Sequence, residues 1–118
     1  MRVYSRGAGR LRHRLRIETA VQVGVGIPSL EWPEVAVVRG SVEDLRGEEL
    51  MAAMAIASRI TTRVRIRYRT GLTSKHRFVV IHTDAAGATV EDRILNINTV
   101  LDPSGRRREL EVLCTEGE

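Results

Sequence analysis

The side chains able to carry acid–base, nucleophilic or metal chemistry are few in this chain and do not converge. His13, His76 and His82 fall on or beside strand-like stretches, with no HExxH and no paired metal-ligand spacing. Each reads as a surface or core histidine. Cys114 sits on the apolar side of an alternating segment and has no activating neighbour, which makes it a buried, inert thiol. A single cysteine also excludes an intrachain disulfide and any multi-cysteine zinc site. Gly7-Ala8-Gly9 and Gly24-Val25-Gly26 lack the third glycine and the strand–turn–helix setting of a nucleotide loop. Glu43, Asp44, Glu48 and Glu49 cluster around a helix start, where negative charge complements the helix dipole. These residue types imply no enzyme, no metal and no cofactor.

One chemistry stands out, and it is ionic. In RITTRVRIRYR, residues 59–69, Ile60, Thr62, Val64, Ile66 and Tyr68 alternate with Arg59, Thr61, Arg63, Arg65, Arg67 and Arg69. Only a strand segregates two such sets onto opposite faces. Same-side residues on a strand repeat every ~7 Å, so Arg63, Arg65, Arg67 and Arg69 form a ladder of like charge. The ladder repels itself unless solvent, nucleic acid or carboxylates answer it.

The elements around the ladder follow from the same periodicity. Residues 1–9 have no pattern and read as a flexible basic arm ahead of a single domain at 10–116. LRHRLRIETAVQV, 11–23, alternates as a first strand and is broken by Gly24, Gly26 and Pro28. A second strand runs through Val35, Val37, Arg39 and Val42, with Gly40 as a bulge. RGEELMAAMAIAS, 46–58, is rich in alanine and methionine and predicts one short α-helix, within an insertion at about 44–58. After the arginine strand come RFVVIHT at 77–83, an extended hairpin tip over 83–93 with Gly87 near its apex, and ILNINTVLD. Asp102-Pro103-Ser104-Gly105 makes a turn, and RELEVLCTE closes the chain. The expectation is a mainly β domain, a small antiparallel barrel or sandwich of about six strands with one inserted helix.

Bulk composition narrows the partners. Among 118 residues, Lys+Arg number 19 against 15 Asp+Glu, a net charge of +4. All but one of the basic residues are arginine, the residue suited to bidentate contacts with carboxylate or phosphate. Aromatics are limited to Tyr4, Trp32, Tyr68 and Phe78, too few for stacking successive bases of a single strand. No run approaches the ~18 apolar residues of a membrane span, and no apolar signal core follows the basic start. A soluble protein assembled in a reducing compartment fits best, with no membrane partner.

Four segments in order resemble a family: GRLRHRLRI, EWPEVAVVRGSVEDLRGEE, ITTRVRIRYRTGLT and DPSGRRRELEVLCTE. Together they are similar to the head–tail joining proteins of tailed bacteriophages, also called head-closure, stopper or head–tail adaptor proteins. The likeness runs from Gly9 to Glu116. It implies a small β-barrel that assembles as a ring below the portal, closes the DNA-filled head and joins it to the tail. Prophages and gene transfer agents carry relatives. Implied partners are further copies of itself, portal and adaptor proteins, tail or tail-terminator proteins, and packaged DNA passing through the channel. The implied location is the virion neck, assembled in the bacterial host cytoplasm, with a monomer compatible in isolation. The insertion, with Leu50, Met51 and Met54, would face the channel or the neighbouring subunit. The tip at 83–93 reads longer than the family's usual connection, and the Gly24–Leu30 loop lacks its usual aromatic.

A ring needs a heterologous interface, one patch meeting a different patch on the next copy. The sequence offers a pair: Arg63, Arg65, Arg67 and Arg69 against Glu43, Asp44, Glu48 and Glu49. The alternative is a monomeric nucleic-acid-binding β-barrel that uses the arginine-rich strands at 10–16 and 59–69 on phosphate.

Overall fold

The computed structural model describes residues 12–117; the arm expected at 1–9 lies outside them. The described chain forms β1 (His13–Thr19), β2 (Val21–Val23), β3 (Ser29–Glu31), β4 (Glu34–Asp44), α1 (Gly47–Ile56), β5 (Thr62–Arg67), β6 (His76–Thr83), β7 (Thr89–Leu101) and β8 (Glu109–Gly117). Six of the strands close a barrel in the order β1-β4-β5-β8-β7-β6, and β2 and β3 form a separate two-stranded ribbon. Every pairing in the barrel is antiparallel. This is the antiparallel barrel with one short helix that the alternation predicts.

The barrel fills itself with the inward set of each strand. Leu15, Ile17, Val64, Ile66, Phe78, Val80, Leu95, Ile97, Leu110, Val112 and Cys114 form one core. Burying side chains of this size stabilises by about 1.5–3 kcal/mol each, before the entropy of ordering the chain is subtracted. Helix α1 packs on the outside of the barrel wall through a smaller cluster of Leu45, Ala53, Ile60 and Leu113, with Leu50 and Ala57 packed against it. Leu113 therefore points away from the main core, as alternation in the last strand requires, yet is buried beneath the helix.

Several elements differ from the sequence expectation. Residues 11–23 are not one strand: β1 ends at Thr19, and the alternation continues into β2, which leaves the barrel to pair with β3. The chain pivots where Thr19 N–H donates to Pro33 O at 3.1 Å and Ala20 N–H to Lys75 O at 3.0 Å. Apolar alternation marks both a strand that enters a core and one that leaves it. Gly40 is no bulge, since it pairs in register with His13 and with Ile66. A Cβ there would sit 2.5 Å from Leu15 Cδ1 and 2.8 Å from both Arg65 O and Ile66 Cγ2. Glycine is required by close approach. The register shift falls instead between Ile17 and Glu18. The arginine strand is regular only over Thr62–Arg67. The 83–93 tip is short, because β7 already begins at Thr89. Asp84 accepts from the N–H groups of Ala86 and Ala88, both at 2.9 Å, and Gly87 takes φ 85° to close the turn.

Candidate functional site

The arginine ladder occupies the outer face of β5, between β4 and β8. Register sets Arg63 opposite Glu43 on one side and Leu113 on the other, while Arg65 and Arg67 face Glu111 and Glu109 of β8. Arg63 Nε donates to Glu43 Oε1 at 3.0 Å, and its Nη2 bonds the same oxygen. Its Nη1 donates to Glu49 Oε2 at 2.7 Å and lies 3.2 Å from Glu111 Oε1. Arg65 Nη2 is 3.7 Å from that Glu111 oxygen. Burial opposes the charge on Arg63, but the hydrogen bonds of Glu43 and Glu49 outweigh it and raise its pKa. One arginine thus ties the helix start, β4 and β8 together.

The sequence-predicted residues divide accordingly. The Arg63 contacts to Glu43 and Glu49, expected across a subunit boundary, are made inside a single chain. Asp44 turns elsewhere: Arg93 Nη2 donates to Asp44 Oδ1 at 2.9 Å and to Glu116 Oε1 at 2.6 Å. Those hydrogen bonds, Glu116's foremost, raise the pKa of Arg93, and Arg93 in turn lowers that of Glu116. Arg67 and Glu48 are exposed, and Arg69, beyond the end of β5, is half-buried. Leu50 packs inward, whereas Met51 and Met54 are exposed.

A second network was not foreseen from the sequence. Glu18, buried at the register shift, accepts from Arg16 Nε and Arg77 Nε, both at 2.8 Å. Arg77 also lies 4.0 Å above the Trp32 ring, and Arg16 reaches Glu91. For the contacts of Arg63 and Arg65 the usable signal was the outward placement of Glu109 and Glu111 on the last strand. It becomes informative only once β8 is known to lie beside β5.

The two ends of the barrel have a different chemistry. The β2–β3 arm carries no charged residue from Val21 to Leu30, and residues 24–31 are exposed throughout, Val25 and Ile27 almost completely. At the other end of β4, helix α1 carries no polar side chain from Leu50 to Ala57. Its outward residues Met51 and Ile56 are 73% and 60% exposed. Elsewhere, a groove of about 600 Å³ is lined by Arg12, His13, Arg14, Arg39, His82 and Arg93, among others. Burial lowers the pKa of His13 there, and the neighbouring charges of Arg12 and Arg93 add to the effect. His82 Nδ1 pairs with Asp92 Oδ2 at 2.7 Å. Among the described residues, no three histidine, cysteine or carboxylate side chains gather as metal ligands. Burial also pushes the Cys114 thiol up to about 12.

A closed barrel with its charges knitted across strands and apolar projections at both ends defines a structural, protein-contacting module. The sequence profile of the phage head completion protein family matches residues 6–117, and the chain belongs to that family. It is accordingly a structural protein of the phage virion that serves closure of the head. The fold is similar to the solution structure of protein SF1141 from Shigella flexneri 2a, at 28% identity and TM-score 0.64, covering 93% of this chain and 96% of that one. It is also similar to a chain in the virion of a native gene transfer agent particle, at 20% identity and TM-score 0.54, covering 92% and 96%. At that identity the second likeness concerns the fold alone. No curated protein matches the chain.

Proposed function

We propose that copies of this chain assemble as a ring below the portal, close the DNA-filled head and form the platform for the tail. The observation that carries this reading is the contrast between a barrel whose main ion pairs close within the chain and two uncharged segments with exposed apolar side chains, Val21 to Leu30 and Leu50 to Ala57, in a chain of the head completion family. The Arg63, Arg93 and Glu18 networks close within the chain and need no partner there. Apolar projections of this kind on a folded domain mark contact with protein. Arg67, Arg69 and Glu48 are the ladder and acidic members proposed to set register at the subunit boundary. Met51 and Met54 are proposed to face the channel or the neighbour. The partners follow as portal and adaptor proteins above, tail proteins below, and DNA passing through.

The test is addition of purified protein to a portal–adaptor complex, followed by electron microscopy. A new ring of density below the portal is the expected result; a complex that gains nothing would refute the reading. A second reading, monomeric binding to nucleic acid, is favoured by the groove of Arg12, Arg14 and Arg39. Submicromolar DNA affinity falling steeply with salt would support it, and weak, salt-insensitive binding would dismiss it.

A further inference from the structure

Resting on the neck-ring reading, we propose that the arm tip of one copy, Val25, Ile27 and Leu30, docks on the outer face of helix α1, Met51, Ala55 and Ile56, of the next copy. Each patch is incomplete by itself. A two-stranded ribbon is at best marginally stable when it packs on nothing, and this one leaves residues 24–31 exposed. Beyond its acidic first turn α1 is apolar all round, a pattern that belongs in an interior, yet only Ala53 is fully buried. Val21 to Leu30 and Leu50 to Ala57 carry no charge in a chain whose residues are 29% charged, and the charge beside the helix patch, Glu48, is negative, so the complement of each is an apolar protein surface and not phosphate.

One chain cannot join its own two patches. The arm leaves the barrel at Thr19 and returns at Glu34, and α1 follows Asp44 at the far end of β4. The eleven residues of β4 separate those points by roughly 33 Å. A second copy carries both patches, so each can complete the other, and because the two patches differ, the contact is heterologous and repeats from copy to copy. The chemistry of the two sides is suited to such a joint. The β-branched and leucine side chains of the arm are stiff knobs, and Met51 of the helix adapts its shape to what lands on it.

The size of the joint explains how it would be used. A patch of three side chains is on the order of a few hundred Å², short of the roughly 800 Å² per partner of a stable pair. One joint is weak. In a closed ring every copy is held by two joints at once, and an adaptor template raises their effective concentration. Copies therefore stay apart in dilute solution and close only where the ring is needed.

The test is thiol cross-linking between two single variants, Ile27→Cys and Met51→Cys, mixed at the highest soluble concentration. Both sites are exposed and the native Cys114 is buried, so folding and background are controlled by each variant alone. The mixture should form a heterodimer about tenfold faster than either variant forms a homodimer, since docking brings the two thiols toward a millimolar effective concentration. Homodimers of Ile27→Cys forming as fast would mean tip-to-tip contact and would overturn the proposal. So would a mixture with no cross-link. If cross-linking fails while wild-type protein still adds a ring to the portal–adaptor complex, the joint is wrong and the neck reading stands.

Discussion

The wall of the barrel and its two ends solve opposite problems. In the wall, Arg63 meets Glu43, Glu49 and Glu111, Arg93 meets Asp44 and Glu116, and Glu18 is clasped by Arg16 and Arg77. At the ends, Val25, Ile27, Met51 and Ile56 are exposed, with nothing among the described residues to cover them. A surface finished internally contributes to stability, and the unfinished surfaces are the ones proposed for assembly. Substitutions in the two regions should therefore separate folding from function.

The largest effect belongs in the barrel. Phe78 is fully buried, and Phe78→Ala should cost about 3–5 kcal/mol in denaturant unfolding. Ile27→Ala at the arm tip should stay within about 0.5 kcal/mol of wild type. Equal losses at the two positions would erase the distinction between the regions. Next comes Gly40→Ala, whose added methyl has no room against Leu15 and Ile66. Overpacking of this kind should cost about 1–3 kcal/mol, with a midpoint shift and little change in the denaturant slope.

The charged wall ranks third. Arg63→Met removes the shared partner of three carboxylates, and should cost about 1–3 kcal/mol. Glu48→Lys, on an exposed residue of the first helical turn, should leave the midpoint within about 0.5 kcal/mol and act on ring formation. A ring as stable with Glu48→Lys as with wild type would remove Glu48 from the proposed boundary.

The smallest effects are those of pH. The folded pKa of Glu116 lies below its ordinary 4.5, so its stabilisation is complete above 4.5 and is lost as pH falls through the lowered value. Glu116→Gln should flatten the acid limb of the stability profile slightly, because the pair is largely solvated. Cys114 behaves in the opposite sense. Its thiol rises from 9.0 to about 12, so its contribution is full below 9.0 and declines as pH climbs toward 12. Native protein at neutral pH should resist thiol reagents until it unfolds.

The contrast between wall and ends also explains what could be read in advance. Ile60, Thr62, Val64 and Ile66 announced their burial by period alone, as did Leu110, Val112 and Cys114, because a closed barrel imposes strict alternation on its strands. The acidic helix start and the alanine run at 52–57 placed α1 to within two residues at either end. Gly40 was visible as an anomaly, but a glycine forced by close approach and one that makes a bulge look alike in sequence. The sequence set the whole ladder against the group Glu43, Asp44, Glu48 and Glu49; within one chain Arg63 meets Glu43 and Glu49, and composition does not say which charges belong to one copy and which to two. The Glu18 clasp depends on a register shift and on β6, some sixty residues downstream, and no local pattern encodes either. The arm was hidden by its own regularity: Val21 and Val23 continue the alternation of β1 after the chain has left the barrel.

The central claim is that assembly resides in the unfinished ends. It is tested most directly by offering a portal–adaptor complex wild-type protein and the double variant Val25→Asp/Ile27→Asp, each first shown to unfold at the same denaturant midpoint. Wild type should add a ring of density below the portal, and the variant, equally folded, should add none. A variant that builds the same ring as wild type would contradict the account.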